Sequence, residues 1–155
     1  MTERSVTEPL IVEFDVDTPA GHAFDLWTRR CAAWWPPRHT VSGDPASITF
    51  EPRPGGRIVE RASNGDEHER GEVLEWEPPV RLRYLWHLFF DRTEATEVEV
   101  TFTQVDERTT VRLEQRGWER LGAAGVQRRD RTHTAWAAIT DSYARAIADV
   151  AGPSR

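Results

Sequence analysis

The stretch G-E-V-L-E-W-E-P-P-V-R-L-R-Y-L-W, residues 71–86, contains two strand-like runs separated by Glu77-Pro78-Pro79. Side chains alternate along the second run. One face carries Leu82, Tyr84, Trp86 and Leu88, and the other carries Arg81, Arg83 and His87. One face is therefore apolar and aromatic, whereas the other, including His87, is expected in solvent. This asymmetry predicts a curved antiparallel sheet that is covered on its concave side.

The same two-residue period extends from residue 46 to residue 116. It predicts strands at Ser47–Glu51, Arg57–Ala62, Glu67–Glu75, Val80–Leu88, Thr96–Gln104 and Thr109–Arg116. Short turn-forming connections separate them, so consecutive strands should pair as one antiparallel meander. Alternation fails in the third of these strands, where Val73 and Leu74 are both apolar and Trp76 follows at an odd offset, as at a β-bulge.

Before the meander, the sequence predicts one strand and two short helices. The strand covers Leu10–Asp17. Thr18 suits an N-cap and Pro19 a first helical position, so the first helix should run to about Arg29. The second helix, at Cys31–Trp35, should end at the Pro-Pro pair that follows it.

The last segment has helical periodicity and predicts one long helix. Its apolar stripe consists of Val126, His133, Trp136, Ile139, Thr140, Tyr143, Ile147 and Val150. A helix with such a stripe must cover an apolar surface, and the concave face of the sheet is available. We therefore expect a single α+β domain over residues 8–151, with flexible termini at 1–7 and 152–155.

Composition narrows the class of protein. In a chain of 155 residues, 38% of the side chains are hydrophobic and 30% are charged, which is typical of one globular domain. No apolar run approaches the roughly 18 residues of a spanning helix, and the start lacks the pattern of a secretory signal. We expect a cytoplasmic protein that does not insert into membranes.

Charge and motifs exclude several functions. The net charge is −6 and the arginines form no basic stripe, so nucleic acid is not an expected partner. The chain contains no lysine, which excludes a Schiff-base or phosphate-loop lysine. Its histidines and the single Cys31, expected to be buried, show no metal-ligand spacing, and no dinucleotide or nucleophile motif is present. We predict no metal and no cofactor.

Four segments in order resemble the SRPBCC superfamily, also called START-like or Bet v 1-like. They are Phe24–Trp27 with Ala33–Trp35, Pro54–Arg61, Gly71–Pro79 and Arg116–Glu119, and they are similar to the branch named for the activator of the Hsp90 ATPase. The resemblance implies a helix-grip fold, in which about seven strands wrap around the long C-terminal helix and leave a hydrophobic cavity. It is compatible with a homodimer, and it does not imply one reaction.

Two polar residues stand out as candidates for chemistry. If Ile58 faces inward, so does Glu60, and a buried carboxylate requires a partner. Glu60 could serve a ligand or an acid/base reaction; alternatively, it lies at the sheet rim, pairs with an arginine or is turned outward by a bulge. His133 lies on the predicted inward stripe and could face Glu60 across the cavity, although a lone histidine there is more often part of the core.

Tryptophans supply the other candidates. Trp27 and Trp76 are expected in the core, whereas the remaining five lie on elements that would surround a cavity. The predicted ligand-binding set is Trp35, Glu60, Tyr84, Trp86, Phe102, Trp118, His133 and Trp136. An aromatic lining favours planar or apolar ligands. The favoured function is non-catalytic binding of a small hydrophobic or aromatic molecule. The alternatives are a cyclase- or hydrolase-like enzyme that uses Glu60 and His133, and a co-chaperone or stress-response interaction module.

Overall fold

A computed structural model describes residues 8–40, 42–87 and 95–151. Seven antiparallel strands form one curled sheet in the order β1-β7-β6-β5-β4-β3-β2. The strands are β1 (Leu10–Val16), β2 (Pro45–Phe50), β3 (Arg57–Ala62), β4 (Glu67–Glu77), β5 (Arg81–Trp86), β6 (Thr96–Val105) and β7 (Arg108–Arg116). The helices are α1 (Ala20–Thr28) and α2 (Gly125–Ala151), with 3₁₀ turns at Cys31–Ala33, Pro37–His39 and Trp118–Ala124.

This architecture confirms the predicted α+β helix-grip fold, and all seven predicted strands are present. Three predictions concern parts that the structure does not describe: the end of the fourth meander strand at Leu88, the flexible termini at 1–7 and 152–155, and the inward side chain of Val150. Within the described ranges, no helix is long and apolar enough to cross a membrane.

The core is an aromatic cluster centred on Trp27, which is fully buried as predicted. Its ring centroid lies 5.0 Å from that of Tyr143 and 6.0 Å from that of Trp136, both on α2. Each aromatic side chain of this size buries roughly 150–250 Å², which is worth about 4–6 kcal/mol of hydrophobic stabilisation. The cluster therefore holds α1 and α2 together against the sheet. Trp76 is only half-buried and packs edge-on against Phe24 at 5.2 Å.

The predicted capping of α1 by Thr18 is wrong. The N-cap residue is Pro19, and the helix receives no capping hydrogen bond from an N-cap side chain. Instead, the amide of Ala20 donates a hydrogen bond to Oε1 of Gln104 at 2.9 Å. The carbonyl of Thr18 accepts a hydrogen bond from Oγ1 of Thr109 at 2.7 Å. The sheet supplies the cap, and local sequence does not reveal a partner more than eighty residues away.

Two bulges interrupt β4. One leaves Leu74 without a partner between the pairs Val73↔Tyr84 and Glu75↔Arg83, as the broken alternation predicted. The other lies opposite β3 and leaves out Arg70, so that both Arg70 and Gly71 are buried. A Cβ at Gly71 would lie 2.0 Å from the carbonyl oxygen of Leu85, so only glycine fits there. This second bulge directs an arginine into the interior.

Charged residues cover the outer face of the sheet, as predicted. Arg116 on β7 contacts Glu97 and Glu99 on β6, the latter at 2.5 Å, while Arg83 on β5 donates to Glu97 at 2.9 Å. Arg81 donates to Glu99 at 2.5 Å. The network joins three neighbouring strands on the side away from the core.

The apolar stripe of α2 is narrower than predicted. Trp136, Tyr143 and Ile147 are buried, whereas Val126 and His133 are exposed. The prediction that His133 faces inward is therefore wrong. At about 100° per residue, His133 lies roughly 60° around the helix from Trp136, at the edge of the stripe.

Candidate functional site

A cavity of about 120 Å³ lies where β5 ends, β6 begins and β7 ends, beneath α2 and the 3₁₀ segment Trp118–Ala124. Antiparallel pairing brings these strand ends together, because Trp86 pairs with Thr96 and Glu97 pairs with Arg116. The lining residues are Trp35, His39, Trp86, His87, Thr96, Gln115, Trp118, Leu121, Arg128, Thr132, Ala135, Trp136 and Ile139. Several of them are partly exposed, so the cavity opens to solvent beside α2.

Four indole rings form most of the apolar wall. Trp35, Trp118 and Trp136 are buried, and Trp86 is half-buried. Trp35 donates its Nε1–H to the carbonyl of His39 at 3.0 Å. Trp118 donates its own to the carbonyl of Gln115 at 3.0 Å. Because these polar edges are bound to protein, the rings offer the cavity mainly their carbon surface.

Gln115 organises the polar part of the wall. Its Oε1 accepts a hydrogen bond from Nε1 of Trp136 at 2.7 Å, and its Nε2 donates to Oγ1 of Thr96 at 2.7 Å. Oγ1 of Thr96 lies 3.4 Å from the carbonyl oxygen of Trp86 and donates to it. One buried amide thus fixes residues from α2, β6 and β5 around the cavity.

Arg70 lies behind two of the indoles. Its guanidinium carbon is 4.5 Å from the ring centroid of Trp86 and 5.1 Å from that of Trp35, a cation–π arrangement with both. The side chain is fully buried, and none of its three nitrogens has a hydrogen-bond partner. Burial lowers the pKa of Arg70, against the opposing effect of Cys31 and Glu60. Arg70 therefore connects two indoles of the cavity wall to the buried carboxylate of Glu60.

Glu60 faces inward, as its parity predicted, and is fully buried. Its Oε1 lies 3.7 Å from Nε of Arg70, and its Oε2 accepts hydrogen bonds from the backbone amide and the hydroxyl of Ser42 at 2.7 and 2.5 Å. Glu60 is not among the cavity-lining residues. Of the alternatives that the sequence left open, the structure shows pairing with an arginine.

The prediction that His87 lies in solvent is wrong. Strand β5 ends at Trp86, so the alternation does not continue to the next residue, and His87 is only 9% exposed. Its amide donates to the carbonyl of Arg70 at 2.9 Å. Neither ring nitrogen has a hydrogen-bond partner, and Nε2 lies 3.9 Å from Oε2 of Glu69. His87 lines the cavity.

The predicted binding residues therefore fall into two groups. Trp35, Trp86, Trp118 and Trp136 lie together on the cavity wall. The other four lie elsewhere: Tyr84 and Phe102 are buried in the core, Glu60 is bound to Arg70 and Ser42, and His133 is exposed. The structure does not bring Glu60 and His133 together as an acid/base pair. In addition, His133 lies at the opposite edge of the α2 stripe from the lining residue Ile139.

Sequence reasoning missed Thr96, Gln115, His87 and Arg70. For two of them the sequence held a usable signal, namely their position in the strand alternation. Thr96 lies two residues before the inward-facing Val98, and Gln115 lies two residues after the inward-facing Leu113. The other two carried only a weak signal, because His87 follows the end of a strand and Arg70 occupies a bulge. An arginine next to a strand glycine is the one hint of that bulge.

Two other predictions concern sites outside the cavity. Cys31 is buried as predicted, and burial raises the pKa of its thiol to about 12, with Arg70 acting in the opposite direction. Among residues 8–40, 42–87 and 95–151, no group of three His, Cys, Asp or Glu side chains could hold a metal ion.

Solved structures similar to this chain include a named enzyme. Txn09, an anthrahydroquino-γ-pyrone synthase solved as a complex, is 32% identical, with a TM-score of 0.56 over 77% of this chain and 82% of that one. CalC, a self-sacrificing resistance protein from Micromonospora echinospora, is 23% identical, with a TM-score of 0.72 over 97% of this chain and 100% of that one. MLL2253 from Mesorhizobium loti is 21% identical, with a TM-score of 0.71 over 94% of this chain and 100% of that one. The last two show the fold alone.

Family membership follows from the sequence itself. A comparison with curated proteins gave no significant match. The profile of the family described as "Activator of Hsp90 ATPase homolog 1-like protein" matches residues 17–147, more than half of the chain. The chain therefore belongs to the activator of Hsp90 ATPase homologue 1-like family, within the SRPBCC superfamily.

Proposed function

We propose that this protein binds a planar aromatic small molecule in the tryptophan-lined cavity. The observation that carries the proposal is the convergence of four indoles, Trp35, Trp86, Trp118 and Trp136, on one cavity. Trp86 lies on β5, Trp118 on the 3₁₀ segment and Trp136 on α2, while Trp35 follows the 3₁₀ turn Cys31–Ala33. The fold brings these four segments together, so the cluster does not come from one apolar run of sequence. A concave, mostly apolar site with a few fixed polar groups is the usual form of a small-molecule site.

The size of the cavity limits what can lie inside it. An apolar cavity of about 150 Å³ accommodates benzene in another protein. The volume of about 120 Å³ found here is close to that of one aromatic ring. A larger fused-ring ligand would place one ring against the indoles and extend through the opening beside α2, past Leu121 and Arg128.

The named relative supports the aromatic class. Txn09 is a synthase of an anthrahydroquino-γ-pyrone, and anthrahydroquinone is a planar system of fused aromatic rings. At 32% identity over most of both chains, this relative gives an independent reason to test planar aromatics first.

Catalysis in the same cavity is the second candidate, because Txn09 is named as an enzyme. The acid and base would come from the lining residues His39 and His87, and not from Glu60 and His133. Mass spectrometry of the ligand after prolonged incubation separates the two functions. Recovery of unchanged ligand supports binding alone, whereas a new mass supports an enzyme.

The interaction-module alternative predicts a contiguous apolar patch outside the cavity. In the part of the chain that the structure describes, four large apolar side chains are exposed: Ile11, Val80, Val105 and Val126. They belong to four different segments, namely β1, the turn between β4 and β5, the end of β6 and the start of α2. No observation on these residues favours the co-chaperone alternative, so we do not propose it.

Calorimetric titration with naphthalene, 2-naphthol and anthraquinone-2-sulfonate tests the proposal. We expect at least one of the three to bind, and Trp86→Ala to weaken binding roughly tenfold, because an aromatic pair contributes about 0.5–1.5 kcal/mol beyond area burial. Trp76→Ala is the matched control, since Trp76 is also half-buried but does not line the cavity. No binding of any of the three, or equal losses in both variants, would contradict the proposal.

A further inference from the structure

We infer that the aromatic ligand carries a hydroxyl group and that His87 selects it by accepting a hydrogen bond from that hydroxyl. This inference rests on the proposed binding function and names the ligand class more narrowly. It also gives the cavity a specificity-determining residue that composition and strand parity did not indicate.

The first step is the state of the His87 side chain. The residue is 9% exposed and lines the cavity, yet neither Nδ1 nor Nε2 has a hydrogen-bond partner. Buried polar atoms in native proteins are almost always paired, and an exception calls for an explanation. A buried polar atom without a partner costs free energy in the ligand-free protein. The imidazole therefore lowers the stability of the ligand-free protein, as expected for a group whose partner arrives with the ligand.

The second step excludes the other polar groups of the inner wall as the main contact. The amide of Gln115 is bonded to Trp136 and Thr96, and the hydroxyl of Thr96 is bonded to the backbone of Trp86. The indole N–H groups of Trp35 and Trp118 are also bonded to protein. Among the described residues of the buried wall, His87 is the polar side chain without such a bond.

The third step gives the direction of the hydrogen bond. Oε2 of Glu69 lies 3.9 Å from Nε2 of His87. This distance is too long for a hydrogen bond, but the negative charge favours the tautomer with its proton on Nε2. Nδ1 then carries a lone pair and accepts a proton donor. A hydroxyl on an aromatic ring is a donor that fits an otherwise apolar site.

The test compares 2-naphthol with naphthalene, which differ only by the hydroxyl. In the wild-type protein, we expect calorimetry to show about tenfold tighter binding of 2-naphthol. In His87→Phe, the two ligands should bind within about twofold of each other. The ligand-free variant should also melt at an equal or higher temperature than the wild type, whereas a structural His87–Glu69 pair predicts a lower one.

A measurement on the wild-type protein keeps the test independent of how the variant folds. The ¹⁵N shifts of the His87 ring should move on addition of 2-naphthol and stay unchanged with naphthalene. Equal affinities for the two ligands in the wild type, or an unchanged preference in His87→Phe, would overturn the role of His87 and leave aromatic binding intact. Failure of both ligands to bind the wild type would overturn the binding proposal itself and this inference with it.

Discussion

The indole Nε1 of Trp136 donates a hydrogen bond to Oε1 of Gln115 at 2.7 Å. This bond joins the middle of α2 to the last strand of the sheet across the cavity wall. The same indole stacks on Trp27 with ring centroids 6.0 Å apart, so the bond lies where the cavity wall meets the aromatic core. The position of the helix over the sheet therefore depends on a buried amide as well as on aromatic packing.

Replacing Gln115 by leucine should destabilise the protein. The variant leaves Nε1 of Trp136 buried without an acceptor, and an unsatisfied buried donor costs about 1–3 kcal/mol of unfolding free energy. Urea denaturation measures the loss. Gln127→Leu is the control, because Gln127 is exposed on α2 and its replacement should change stability by less than about 0.5 kcal/mol. Similar losses in the two variants would show that the amide bond is unimportant.

The pair formed by Arg70 and Glu60 should behave as a buried ion pair. Arg70→Met leaves the carboxylate of Glu60 buried beside Ser42 without its countercharge, and such a loss costs roughly 3–5 kcal/mol. The double variant Arg70→Met with Glu60→Gln should regain most of that stability, since an amide oxygen can still accept from Ser42. Denaturation of both single variants and the double variant measures the coupling. Additive losses would mean that the two side chains do not interact.

Cys31 should be inert in the folded protein. Its thiol is buried and its pKa is raised to about 12, so almost no reactive thiolate exists near pH 8. We expect no reaction with an aromatic disulfide reagent in buffer and one equivalent of reaction in concentrated urea. Rapid labelling of the folded protein would show that the thiol is accessible to the reagent, which would contradict the burial of Cys31 described above.

Acid should weaken the charged network on the outer face. Burial alone would raise the pKa of Glu99, but hydrogen bonds from Arg81 and Arg116 outweigh it, and the pKa is lowered on folding. A lowered folded-state pKa adds stability above the unfolded-state pKa of about 4.3 and loses it as the pH falls through the folded-state value.

The variant Glu99→Gln tests whether Glu99 contributes to the loss of stability in acid. The wild type should lose stability between about pH 5 and pH 3, and the variant should lose roughly 0.5–1 kcal/mol less over the same interval. Glu107→Gln, at an exposed position, should follow the wild type. Identical pH profiles for Glu99→Gln and the wild type would remove Glu99 from the acid response.

Sequence parity succeeded where strands are regular. It placed Arg81 and Arg83 on the outer face and Glu60 in the interior, because side chains alternate strictly along an unbroken strand. Four tryptophans that it offered as cavity lining also lie on one cavity wall. Each lies at the end of an element or on the covering helix, but that position did not suffice, because Trp34, the fifth tryptophan of that set, is buried in the core and does not line the cavity.

The strand alternation did not predict side-chain facing where the regular backbone ends. His87 lies one residue beyond the end of β5, and Arg70 occupies a bulge, so neither follows the alternation. His133 lies at the edge of a helical stripe, where the width of the covered surface decides exposure. The cap of α1 comes from Gln104, a contact that only the folded sheet creates. These positions depend on tertiary geometry and not on local pattern.

The central claim is that the four-indole cavity is the binding site. The chain has seven tryptophans, and their indole N–H groups give separate signals in a ¹H–¹⁵N correlation spectrum. On titration with 2-naphthol, the largest shifts should belong to Trp35, Trp86, Trp118 and Trp136, while Trp76 should stay in place. Shifts centred on Trp76, or none at any indole while calorimetry shows binding, would contradict the account.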